Sequence, residues 1–79
     1  MKRAMSNDSH TYSRWRHGGW YVHDVRYPSG ACGCVSANFP DGKWRIVTYL
    51  GSDQPTFATR REAADAEAAL VAEMWAEVS

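Results

Sequence analysis

Several things are scarce in this chain, and each scarcity excludes a class of protein. No apolar run approaches the roughly 20 residues that span a bilayer, so no transmembrane helix is expected. No apolar stretch follows the basic residues of MKRAMSNDSHTYSR, so the N-terminus does not read as a secretory signal. Only two cysteines occur, Cys32 and Cys34. One residue apart in a strand, both thiols would point the same way, a poor geometry for bonding to each other. That argues against a disulfide scaffold and for a reducing, cytoplasmic compartment. Excess charge is also missing, since nine basic and nine acidic side chains cancel. A strong nucleic-acid binder shows a larger basic excess. Catalytic groupings are absent too. There is no glycine loop to cradle a phosphate, and Ser, His and Asp are scattered rather than grouped as nucleophile, base and orienting acid. A lone Cys-x-Cys without a second cysteine pair is not a zinc pattern, and His23 reads as a core residue turned away from both thiols. The chain is therefore expected not to be an enzyme, and neither metal nor cofactor is implied.

What is present fits one small α+β domain. Seventy-nine residues bury a small core, and 44% hydrophobic residues with four Trp and four Tyr can fill it. Charge is uneven along the chain. Residues 1–58 carry seven cations and four anions, whereas residues 59–79 carry two and five. Residues 1–13 are polar and without period and read as a flexible N-terminus, leaving 14–79 as the domain. WYVHDVRY (20–27), ACGCVSANF (31–39) and KWRIVTYL (43–50) read as strands separated by the turns PSG and PDG. RWR (14–16) is a candidate fourth, edge strand whose Trp15 would close the core. From Thr59 to about Val78 the residues are strong helix formers, opened by a Thr59–Glu62 capping box. Ala63, Ala66, Leu70, Val71, Met74 and Val78 share a helix face, and Glu67 interrupts that arc.

Turn chemistry predicts the register. A two-residue Asp41-Gly42 loop would pair Ala37 with Ile46 and Cys34 with Tyr49. A three-residue Pro28-Ser29-Gly30 loop would place Tyr21, His23, Val25 and Tyr27 inward, over small residues of the next strand. The expected architecture is a three- or four-stranded antiparallel sheet with one long C-terminal helix on one face. The open face would then show Trp20, Val22, Asp24 and Arg26, then Cys32, Cys34, Ser36 and Asn38, and then Lys43, Arg45, Val47 and Tyr49. Aromatic residues and arginine are enriched at recognition surfaces. The candidate contact residues are therefore Trp20, Val22, Arg26, Arg45, Val47 and Tyr49, with Arg14 and Arg16 as a rim. A second copy of the chain is an alternative occupant of that face.

The pattern Gly42-Lys43-Trp44, Leu50-Gly51 and Phe57, Thr59, Glu62, Ala63, Ala64 resembles the DNA-binding domain of plant ethylene-response factors and its relatives in phage integrases and homing endonucleases. That family reads DNA with a three-stranded sheet backed by a helix. By that resemblance Arg26, Lys43, Arg45, Arg14 and Arg16 would contact DNA. Its arginine-rich first strand is missing here, so the resemblance implies the sheet-and-helix architecture first. A chain under 80 residues starting at Met1 without catalytic groups also resembles the small inhibitor proteins of phages and prophages, including anti-CRISPR proteins. That resemblance implies a protein-binding module that occludes a host protein or protein complex. DNA is the alternative partner.

Overall fold

A computed structural model describes residues 10–49 and 54–78. Four strands and a helix follow in chain order: β1 (Tyr12–Trp15), β2 (Gly19–Arg26), β3 (Cys32–Ser36), β4 (Arg45–Ile46) and α1 (Arg60–Val78). The strands form one antiparallel sheet in the order β1-β2-β3-β4, so the α+β architecture stands as expected. The edge strand is real. It starts at Tyr12, two residues inside the segment expected to be a loose terminus.

The first hairpin closes as its turn residues require. Gly30 has φ 98°, and Tyr27 accepts from the Gly30 N–H and donates to the Ala31 carbonyl. Arg26 therefore lies opposite Cys32. The ladder then slips between Val22 and Arg26, and beyond the slip Val22 lies opposite Gly33 and Trp20 opposite Val35. An odd slip reverses the faces. Val25 and Tyr27 enter the core as expected, but beyond the bulge Val22 turns inward instead of Tyr21 and His23. The bulge lets two valines three residues apart both be buried, which strict alternation forbids.

The second hairpin differs from the expected one. Val35 lies opposite Ile46 and Ser36 opposite Arg45, two residues from the predicted pairing, so the faces are kept. Asp41-Gly42 is not a two-residue loop. Gly42 donates to the Phe39 carbonyl, and the Asp41 carboxylate accepts from the Lys43 N–H and the Arg45 guanidinium. The third predicted strand also stops after Ile46, because the Tyr49 N–H donates to the Ile46 carbonyl and the chain turns at Val47 and Thr48. Leu50, the end of that predicted strand, lies outside the described residues, as do Gly51 to Asp53. Trp44 pairs with Phe57 through two backbone hydrogen bonds of 2.8 Å, tying the entry to α1 against the sheet.

The helix is capped at its start. The Thr59 hydroxyl accepts from the Glu62 N–H at 3.1 Å, and Glu62 reaches back to the Ala58 N–H at 3.1 Å. Its buried side is Ala63, Ala64, Glu67 and Val71, while Val78, predicted to be buried, is exposed. Two adjacent alanines let the helix backbone come close to the sheet. Val22, Val25, Tyr27, Val35 and Ile46 complete the core with Ala63, Ala64 and Val71. Full burial of each valine or isoleucine contributes about 1.5–3 kcal/mol. Among the described residues, no helix is long and apolar enough to cross a membrane.

Candidate functional site: the open sheet face

Side-chain contacts settle which face is open. A Cβ on Gly33 would meet the Glu67 side chain at 2.8 Å, so Gly33 faces α1. Its cross-strand partner Val22 faces α1 too, and so by alternation do Trp20, Val35, Tyr12 and Arg14. The guanidinium of Arg60, from α1, lies 3.9 Å from the Tyr12 ring centroid and 4.8 Å from that of Trp20. Arg14 lies 5.1 Å from the Trp20 centroid. The opposite parity, Ser13, Trp15, Tyr21, His23 and Arg45, therefore lines the face without a helix, and Cys34 and Ser36 share that parity but are buried, 4% and 3% exposed.

On that face a row of rings runs across β1 and β2. Trp15 is 4.8 Å from His17, edge to face, and 6.4 Å from Tyr21, which is 6.4 Å from His23. Trp15 and Tyr21 are half-buried, and His17 and His23 are exposed. The loop carrying His17 is fixed from β3. Ser36 Oγ donates to the Gly18 carbonyl at 2.8 Å and Asn38 Nδ2 to the His17 carbonyl at 3.3 Å. Gly18 has φ 89°, and a Cβ there would strike Asn38 at 2.7 Å, so glycine is required for this loop to sit down. Toward β4, Arg45 lies 4.6 Å from the Phe39 ring centroid and makes two hydrogen bonds to Asp41, at 2.7 and 2.9 Å. The guanidinium so placed holds the Asp41 carboxyl well below the usual carboxylate range.

The expected contact residues are thus divided. Arg45 is on the open face, but its charge is matched by Asp41. Arg26 is exposed at the end of β2, its guanidinium donating to the Gly30 carbonyl at 2.9 Å. Arg16 is exposed in the β1–β2 turn, and Lys43 is exposed in the loop before β4. Val22 is fully buried, 0% exposed, because the β2 bulge turns it inward, so it does not belong to the open face. Trp20 is corrected for the same reason and packs half-buried against the core on the helix side, with Arg14 over it. Asp24 also lies on the helix side, bonded to His10. Val47 sits in the turn after β4, and Tyr49 packs against the core once the chain has turned. Trp15, His17, Tyr21 and His23 were not anticipated on this face. For Tyr21 and His23 the signal was the Val22-x-x-Val25 spacing, which a strand buries at both ends only with a bulge.

The residue that broke the apolar helix face is explained. Glu67 is 0% exposed. Its carboxylate accepts from the Tyr27 hydroxyl at 2.5 Å, from the Cys34 N–H at 3.0 Å and from Thr48 Oγ1 at 3.4 Å. Burial raises the Glu67 pKa, and these donors hold part of that rise back. Burial, and then the Glu67 charge, pushes the Cys34 thiol up to about 11. Glu67 thus supports the β3 backbone from the helix side, accepting from the Cys34 N–H.

Ser13 Oγ lies 2.6 Å from His23 Nε2. This contact is a hydrogen bond between β1 and β2. No group of three metal-ligating side chains comes together among the described residues. Between β2 and α1 a groove of about 270 Å³ is lined by Asp24, Val25, Arg26, Ala68, Val71 and Trp75. Comparison of the chain with protein-family models, curated proteins and solved structures finds no match.

Proposed function

We propose that the chain is a non-enzymatic protein-binding module whose contact surface is the open sheet face, centred on Trp15 and Tyr21. The observation that carries this reading is the ring row His17–Trp15–Tyr21–His23, half-buried at Trp15 and Tyr21 and exposed at both histidines, on a sheet whose other side packs against α1. Aromatic side chains give large contact area at little conformational cost, and they concentrate at the centres of protein interfaces. The row also has both polar tips and apolar bodies, as recognition surfaces do.

The same geometry supports protein over DNA as the partner. A DNA-reading sheet needs cations free to release counterions. Here Arg45 is matched by Asp41, while Arg14 and Arg60 stack on the helix side of the sheet. In the proposed role the module occludes a surface of a host protein complex, as small phage inhibitors of the anti-CRISPR type do. A reducing cytoplasm suits its two free thiols. The test is a pull-down with the tagged chain from a bacterial lysate, with and without nuclease, read by mass spectrometry. A protein complex retained after nuclease and in high salt supports the module. Nucleic acid alone, lost in high salt, supports the DNA reading instead.

A further inference from the structure

His10 is a histidine between two carboxylates. Its Nδ1 lies 2.7 Å from Asp24 Oδ2 on β2, and its Nε2 lies 2.6 Å from Asp65 Oδ1 on α1. Only 6% of the side chain is exposed, whereas the aspartates keep 39% and 57%. The other oxygen of Asp24 accepts from the Thr11 N–H at 3.0 Å. The His23 N–H donates to the Thr11 carbonyl at 2.8 Å and so extends the β1–β2 ladder up to this point.

The donor count decides the chemistry. A carboxylate only accepts hydrogen bonds, and neutral imidazole has one N–H. Neutral His10 would therefore set a bare ring nitrogen against a carboxylate oxygen at hydrogen-bond distance. The imidazolium carries two N–H groups and satisfies both sides, with charge assistance. We propose that imidazolium His10 is a proton-dependent clasp that holds the start of β1 to β2 and α1, and that its deprotonation releases that segment.

The charged groups around it agree. Asp24 faces it from β2 and Asp65 from α1, while Arg61 on α1 lies 3.8 Å from the other oxygen of Asp65. The Tyr12 ring of β1 lies 6.1 Å away and is uncharged at neutral pH. Burial alone would lower the His10 pKa, but the hydrogen bonds and charges of Asp65 and Asp24 outweigh it, and the net direction is up. For Asp24 burial pulls upward, yet the Thr11 N–H and His10 win and the net direction is down. The clasp is therefore fully closed below the unfolded histidine value of 6.5 and opens as pH rises through the higher folded value. On the acid side it is lost as pH falls through the lowered Asp24 value.

Imidazole nitrogen NMR of the full chain across this range tests the clasp, paired with amide exchange at Thr11 and His23 corrected for intrinsic rates. The expected result is that His10 titrates above the ordinary histidine value and that Thr11 protection falls about tenfold through the same midpoint. Asp65→Asn, at an exposed position, should lower the midpoint. His10→Gln should abolish the pH dependence of Thr11 protection. His10 titrating at or below the ordinary value, Thr11 protection that ignores the midpoint, or pH dependence that persists in His10→Gln would each overturn the proposal.

Discussion

Removing the Glu67 carboxylate is the most informative single perturbation of the fold. Glu67 is fully buried and accepts from Tyr27, Thr48 and the Cys34 backbone. In Glu67→Ala the Tyr27 hydroxyl keeps Thr48 Oγ1, 2.7 Å away, as a partner. The Cys34 N–H loses the carboxylate acceptor that it has in the core. An orphaned buried donor costs about 1–3 kcal/mol, and the lost charge-assisted bond from Tyr27 and the vacated volume add roughly 1–2 more. Relief of the buried charge offsets part of this, so a net loss of about 2–4 kcal/mol is expected. A domain of this size has a total stability on the order of 4–12 kcal/mol. Glu67→Gln retains a carbonyl for the Cys34 N–H and should lose only about 1–2 kcal/mol. Urea unfolding followed by tryptophan fluorescence measures both, with an m-value of about 1 kcal/mol/M. The alanine midpoint should fall well below the glutamine midpoint. Equal midpoints, or an alanine loss under about 1 kcal/mol, would refute the view that Glu67 supports β3.

Three other outcomes follow from the packing. Gly33→Ala would bring a Cβ within 2.8 Å of both Glu67 Oε1 and Val25 Cβ, so urea unfolding should show a loss of about 1–3 kcal/mol from overpacking. Thr59→Ala removes the acceptor for the Glu62 N–H and should lower stability by about 1 kcal/mol, checked by thermal unfolding in circular dichroism. Native protein at pH 8 should react with a thiol reagent at Cys32 while Cys34 stays protected, its thiol buried and pushed up to about 11. Both thiols should react in denaturant, and equal native rates would show that the Cys34 thiol is not buried.

The architecture was legible because its signals are local. Turn residues at Pro28-Ser29-Gly30, the Thr59–Glu62 cap and the helix formers after Arg60 each act within a few residues. The faces of β2 were not legible from alternation alone. Val22 and Val25 compete for burial at a spacing that a regular strand cannot satisfy, and the bulge that resolves this reverses Trp20 and Tyr21. The end of β4 was hidden for a different reason. Thr48 is drawn to Tyr27 and Glu67, partners 21 and 19 residues away, which no strand propensity records. Glu67 itself was visible as a fault in the apolar face but not as a partner, since Tyr27 lies 40 residues away. Only part of the candidate site survives from the sequence reading. Arg45 and Arg26 remain exposed or on the open face, while the aromatic centre of the face comes from residues assigned to the core.

The aromatic face is the centre of the proposed contact surface. The most direct test is a quantitative pull-down from nuclease-treated bacterial lysate, comparing the wild-type chain with a Tyr21→Ser, His23→Asp double variant of verified fold. Both side chains lie on the open face, clear of the core beneath α1. A protein complex should be captured by the wild type and lost from the variant. Equal capture by the folded variant would contradict this reading, and so would wild-type recovery of nucleic acid without a protein partner in the untreated lysate.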